Sequence, residues 1–406
     1  MEDIEQNVSE PPQAPPTVPP KRGGQVVLIV VVAVLLVAVV VVASQAQNIR
    51  GMMSSHTVGG DAGVSQLTLP QGFHADVFYS GLSSPRLLTF SPDGTLFAAE
   101  RGSGSIVALP DASHTGKAGQ KIVVVDGLDD PTSLSFYQGE LYVGEASRVS
   151  RFTLGSDFKV MKREVVVPKL PTGGNHVTRT VLVGADGNLY VSIGSTCNNC
   201  VESDAQRATV WTYHLDGSGG RLYAKGLRNA VGMALNPWNK QVWVTNNGRD
   251  LLGDDTPPET VYALKDGGNY GWPRCHAGDI VDPELGQAGD CNGVISPVVK
   301  MQAHSAPLGL AFYNASQFPQ AYHGLFVAFH GSWNRSVPTG YKVVFIPLNA
   351  KGEVVGKVQD FATGWLHSTQ DATGRPVGLA VGPDGALYVS DDKAGTIYRI
   401  TYTAGS

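Results

Sequence analysis

The chain has 406 residues, of which 42% are hydrophobic and only 16% charged, with 49 Gly and 25 Pro. This is a turn-rich composition that is still apolar enough to build a core, which excludes a disordered chain. Thirty Lys and Arg against 35 Asp and Glu leave a net charge of -5 without a basic stripe, which excludes a nucleic-acid partner.

Residues 1–25 form a Pro-rich tail, and residues 26–43 are an unbroken, uncharged run of Val, Leu, Ile and Ala. That run is about the length a helix needs to cross the hydrocarbon core, so a transmembrane anchor is expected there. Lys21 and Arg22 precede it and the next cation is Arg50. The asymmetry places the tail in the cytoplasm and the remainder in an extracytoplasmic position, periplasmic or cell-surface. A cleaved signal peptide is the alternative, with small residues at 44–46, although its apolar region is usually shorter. Residues 44–65 then read as a linker and 66–406 as one folded domain.

After Gly60 helical periodicity all but vanishes and one phrase recurs: a short apolar strand, a turn often containing Asp-Gly, then a strand of alternating apolar residues. The instances end their first strand at 90, 136, 183, 235, 312 and 381. A period of roughly 47 residues with hairpins and little helix predicts an all-β, six-bladed β-propeller, because a single blade cannot bury its own faces. The apolar stretch 73–82 precedes the first unit and is expected to supply the outer strand of the last blade, tying Leu67 to the C-terminus. Two longer gaps carry insertions on one rim, where scaffolds keep function.

The four cysteines fall as Cys197 with Cys200 and Cys275 with Cys291. Outside the cytoplasm, two local disulfides are the natural reading. A zinc site lacks a second CxxC, and a thioredoxin-like role lacks the helix that should follow.

Polar residues stand at equivalent places in the repeats: His176, Arg228 with Asn229, the run His330 to Arg335, Arg375 and, in the first unit, Arg86. Equivalent strand ends converge on the central channel, so these groups are expected around one cavity. Guanidinium forks suit carboxylates, Trp333 offers a stacking face, and a neutral His176 suits a base. The Gly-rich acidic segment 246–259 offers oxygens of the kind calcium favours, without EF-hand spacing.

From about Leu67 to Tyr402 the chain resembles the glucose/sorbosone dehydrogenase family, and within it the sorbosone dehydrogenase-like branch. The residues that carry this are His176 ahead of TRTVLVGADGNLY, GLRN at 226–229, GGNYGWP at 267–273, HGSWNR and GRPVG. The resemblance implies a six-bladed propeller that oxidises an aldose or sugar aldehyde with pyrroloquinoline quinone (PQQ) and calcium and passes electrons to a membrane acceptor. It implies His176 as general base, with Arg228 and Asn229 at the quinone oxygens, where Arg228 stabilises developing charge. Arg86, His330, Trp333, Arg335 and Arg375 would complete the cofactor site. Main-chain carbonyls of Gly248 and Arg249 would hold the cofactor's calcium, and Glu259 with Tyr270 a second, structural calcium. The chain departs from the soluble glucose enzymes in having His330 where they place a lysine. The other readings are a non-catalytic binding propeller that has lost the cofactor and a calcium-dependent lactonase.

Overall fold

The computed structural model of the chain describes Val64, residues 66–368 and residues 371–404. The expected anchor at 26–43 and its flanking tail lie outside the described residues. No helix among the described residues is long and apolar enough to cross a membrane.

Each of the six sequence units becomes one antiparallel blade around a central axis. The innermost strands are Pro85–Phe90, Ser133–Tyr137, Arg179–Val183, Ala230–Leu235, Pro307–Tyr313 and Pro376–Val381. All six positions that end the repeated apolar phrase fall within them. Each innermost strand packs against the next, and the sixth against the first, which closes the ring.

The ring is sealed as the sequence suggested. Phe73–Ser80 adds to Thr396–Tyr402 as the outer strand of blade six, with Phe73 opposite Tyr402 and Ser80 opposite Thr396. Leu67 itself is not tied to the C-terminus: its neighbour Thr68 bridges Thr363 at the outer edge of blade five. The long gap after 235 holds the hairpin Cys275–His276 and Ile280–Val281, and a two-residue strand, Gly268–Asn269, that adds in parallel to blade three.

Middle strands are buried on both faces and so read as apolar runs, and successive residues serve opposite neighbours. In blade one, Leu96 and Ala98 pack with Tyr388 and Ile397 of blade six. Phe97 and Ala99 pack with Leu141 and Phe152 of blade two. Each fully buried Leu or Phe stabilises the ring by about 1.5–3 kcal/mol, and none of that burial exists without the adjoining blade. The expected disulfides Cys197–Cys200 and Cys275–Cys291 are both present.

One local device sets the channel. In blade four the innermost strand shifts register between Ala230 and Met233, and the Gly232 N–H freed by this bulge is taken by Thr245 Oγ1 at 2.8 Å. That hydroxyl in turn donates to the carbonyl of Leu308 in blade five at 2.7 Å. Ser390 does the same in blade six, accepting from Gly378 N and donating to Arg86 O of blade one. A Cβ on Gly232 would meet the Leu308 carbonyl, and one on Gly378 would come within 2.5 Å of the Arg86 carbonyl, so both positions need glycine for close strand approach. The bulges turn the leading ends of the innermost strands toward the channel mouth.

Candidate functional site

Arg228 and Asn229 immediately precede Ala230–Leu235, Arg375 precedes Pro376–Val381, and His176 precedes Arg179–Val183. Arg86 is the second residue of Pro85–Phe90. All five therefore lie at one end of the channel, as the repeat predicts. Blades three and four stand across the ring from blades six and one, so the residues form two facing groups.

The first group centres on His176. Its Nδ1 lies 3.1 Å from the Ser195 carbonyl and 2.8 Å from Ser195 Oγ. Ser195 Oγ donates its proton to the Cys197 carbonyl at 2.7 Å. Both groups facing Nδ1 are thus acceptors, so Nδ1 carries the proton and Nε2 the lone pair. Burial, with the nearby Arg228 charge, holds the His176 pKa down to about 3, so the ring is neutral at physiological pH. The buried Arg228 guanidinium donates from Nε to Asn198 O and from Nη2 to both Asn198 Oδ1 and Asp250 Oδ2. Gly194 fits between His176 and Asn229: a Cβ there would lie 2.5 Å from His176 Cβ and 2.8 Å from Asn229 Oδ1.

The second group surrounds a cavity of about 520 Å³ lined by Ser84, His330, Tyr341, Arg375, Asp392 and Lys393, among others. Asp392 accepts from Arg86 Nη1 at 2.6 Å and lies 3.0 Å, through both oxygens, from His330 Nε2. Burial pulls the Asp392 carboxyl up, but His330 and Arg86 outweigh it and leave it below its ordinary value. Burial also drives the His330 pKa down to about 4, more than Asp392 can restore. His330 is therefore neutral, and its Nε2–H is spent on Asp392. Arg375 donates to the carbonyls of His330 and Gly331 at 3.0 Å each and lies over the Tyr341 ring at 5.5 Å. Its charge meets no carboxylate in these bonds. Lys393, which sequence reasoning missed, brings a further cation to the same wall.

Two expected cofactor residues stand apart from that cavity. Arg335 clasps neighbouring loops, donating to the Asp254 carbonyl and to Asp255 Oδ1 at 3.2 Å. Trp333 is 71% exposed and makes no ring contact among the described residues.

Tyr270 Oη donates to the carbonyl of Ala263 at 3.2 Å and accepts from Lys265 N at 2.9 Å, and Tyr270 lines a small cleft with Gly248 and Arg228. Glu259 is buried, accepting from Gly248 N at 2.7 Å and Ala306 N at 3.3 Å, and burial pushes its pKa up to about 7. The Arg249 side chain pairs with Asp282 and Glu284. Gly248 lines the same cleft as Arg228, and the carbonyl of the preceding Asn247 accepts from Arg228 Nη1 at 3.4 Å.

The TrAA12-like family model matches residues 67–285 and 282–403. The chain is 28% identical over 417 residues to the pyrroloquinoline quinone-dependent pyranose dehydrogenase of Coprinopsis cinerea, covering 84% of this chain and 55% of that protein. It thus spans little more than half the length of that relative. The pyrroloquinoline quinone-dependent sugar dehydrogenase of Hypocrea jecorina is 26% identical over 404 residues, with 84% and 91% covered. Among solved structures, the holo form of the Coprinopsis cinerea pyranose dehydrogenase PQQ domain superposes with a TM-score of 0.71 at 25% identity, covering 82% of this chain and 97% of that one. A Trichoderma reesei family AA12 structure gives a TM-score of 0.72 at 23% identity, covering 83% and 98%. The resemblance carried by His176–Tyr190, GLRN and GGNYGWP is borne out at the level of the family. The chain belongs to the TrAA12-like family.

Proposed function

We propose that this protein oxidises an aldose or sugar aldehyde with pyrroloquinoline quinone, His176 acting as general base. The observation that carries the reading is the tautomer of His176, with Nδ1–H committed to Ser195 and the Nε2 lone pair left to accept a proton beside Arg228. The cofactor is a flat aromatic tricarboxylate, and the residues fit it: Arg375 and Lys393 bring charge uncompensated by a carboxylate to one wall, and Arg228 and Asn229 stand across the channel. When bound, the quinone supplies a two-electron acceptor for the hydride of the sugar's reacting carbon.

His176 takes the sugar's hydroxyl proton at Nε2, and the positive ring that results is stabilised through its Nδ1–H by Ser195. Arg228 and Asn229 are hydrogen-bond donors placed to stabilise negative charge that develops nearby. Arg86 pairs with Asp392 and His330 donates to the same carboxylate, so the negative charge on this cavity wall is offset by a cation held against it. Calcium, in this reading, is held at the carbonyls of Gly248 and Arg249 and polarises the same region. A sorbosone-type substrate is in keeping with the HGSWNR and GRPVG strings. The residue 26–43 segment would tether the propeller outside the cytoplasm, where its disulfides are stable and a membrane electron acceptor is close.

The second reading, a propeller that binds a ligand without turning it over, is favoured by one observation, the neutral His330 in the place of a cation. Calorimetric titration of pyrroloquinoline quinone into residues 60–406 with calcium, followed by dye-linked oxidation of a sugar panel, separates the two. Calcium-dependent binding with sugar-dependent dye reduction is expected. Binding without turnover on any sugar would leave the second reading, and hydrolysis of a lactone without quinone would point to a calcium-dependent lactonase.

A further inference from the structure

The loop closed by Cys197–Cys200 reaches both halves of the base and charge pair. Ser195 Oγ donates to the Cys197 carbonyl, which sets the proton on His176. The next residue, Asn198, holds Arg228 at two points: its main-chain carbonyl accepts from Nε at 2.9 Å and its Oδ1 accepts from Nη2 at 2.9 Å. The same Oδ1 accepts from Asp250 N at 2.8 Å, and Asn198 Nδ2 donates to Asp250 O at 3.1 Å. Asp250 then returns through its carboxylate to Arg228 Nη2 at 2.8 Å. Every polar atom of the Asn198 amide group is used, and each bond goes to Arg228 or to the residue that pairs with it.

We infer that Asn198 is a positioning residue, locked by the flanking disulfide, that fixes the direction of the Arg228 guanidinium and thereby its presentation to the quinone. Beyond Asn198 and Asp250, the Arg228 guanidinium meets one further, weaker acceptor, Asn247 O at 3.4 Å. Without the Asn198 amide it keeps one strong main-chain bond and an Asp250 whose backbone is no longer held. The disulfide has a purpose here: it joins the residues on either side of Asn198 and Asn199, so the amide is presented from a short closed loop. The inference rests on the reading of Arg228 as a group that faces the quinone.

The test compares N198A with N198D, which keeps an acceptor for Nη2 but replaces the donor to Asp250 O with a charged oxygen. Solvent exchange of the Arg228 Nε–H, followed by nitrogen-15 NMR on protein without cofactor, reports the guanidinium directly. Exchange at least tenfold faster in N198A and within about threefold of wild type in N198D is expected, together with at least tenfold weaker pyrroloquinoline quinone binding by N198A at nearly unchanged Tm. Exchange in N198A within about twofold of wild type, or equal acceleration in both variants, would overturn the inference. Should N198A not fold, N198S makes the same comparison. Failure of the wild type to bind the quinone would sink the proposed function, while the exchange measurement would still decide the positioning of Arg228.

Discussion

Ser195 dictates the tautomer of His176: having given its own proton to Cys197, its hydroxyl leaves Nδ1 no role but donor. The Ser195 main-chain carbonyl alone, at 3.1 Å, orients the ring less firmly. Ser195→Ala is expected to lower kcat by roughly tenfold, with quinone affinity little changed, whereas His176→Ala lowers it by about 10²–10⁴-fold. Steady-state kinetics with dye reduction check both, and a Ser195→Ala enzyme with full turnover would detach the tautomer argument from catalysis.

His176 and His330, both half-buried and held neutral, make stability depend on acid. A histidine whose folded pKa lies below its ordinary value contributes stability in full above about pH 6.5, and loses it as pH falls toward the folded pKa. For His176 and His330 those folded values are about 3 and about 4. Thermal unfolding is therefore expected to show Tm falling between pH 6.5 and 4, with a shallower fall in His330→Gln. Parallel curves for the two proteins would contradict the assignment of His330.

Arg375 and Lys393 place charge on the cavity wall without a direct carboxylate partner among the bonds described. Removing either, as Arg375→Ala or Lys393→Ala, should weaken pyrroloquinoline quinone binding by about 1.5–3 kcal/mol, or roughly 10- to 100-fold, because a charge-assisted hydrogen bond is lost. Calorimetric titration measures this, and unchanged affinity in both variants would move the carboxylates elsewhere.

Gly194 is a spacer between the base and its neighbour. Gly194→Ala inserts a methyl 2.5 Å from His176 Cβ and 2.8 Å from Asn229 Oδ1, so both side chains must shift. Overpacking of this kind costs about 1–3 kcal/mol, and kcat is expected to fall more than the loss of Tm alone explains. Wild-type kcat in a protein with lowered Tm would show that the site tolerates the shift.

Much of the fold was legible because a blade is a local pattern. The six apolar phrases, the strand 73–80 that completes blade six, and the two short-range disulfides depend on residues close in sequence or on one repeated period. The partners inside the site were not legible for the opposite reason. Arg86 and Asp392 are 306 residues apart and meet only because the ring closes between them. Periodicity placed His330 at the mouth but carried no sign that Asp392 would accept its Nε2–H, and Lys393 follows a strand of ordinary repeat sequence. Asn198 and Ser195 were hidden beside cysteines read as staples alone. The spacing of Glu259 and Tyr270 along the chain likewise does not say that one residue heads a strand and that the other's hydroxyl folds back on its far end.

The seam between Phe73–Ser80 and Thr396–Tyr402 has a consequence for the order of events in a growing chain. The cavity takes Arg86 from the first blade and His330, Arg375, Asp392 and Lys393 from the last two. Residues 392 and 393 leave the ribosome some three hundred positions after residue 86. Until then blade six lacks Thr396–Tyr402, the strand on which Phe73–Ser80 pairs, and Arg86 has no Asp392 to meet. Ligand loading at this wall therefore waits for the last blade, and a truncated chain that stops short of Asp392 has no such wall at all.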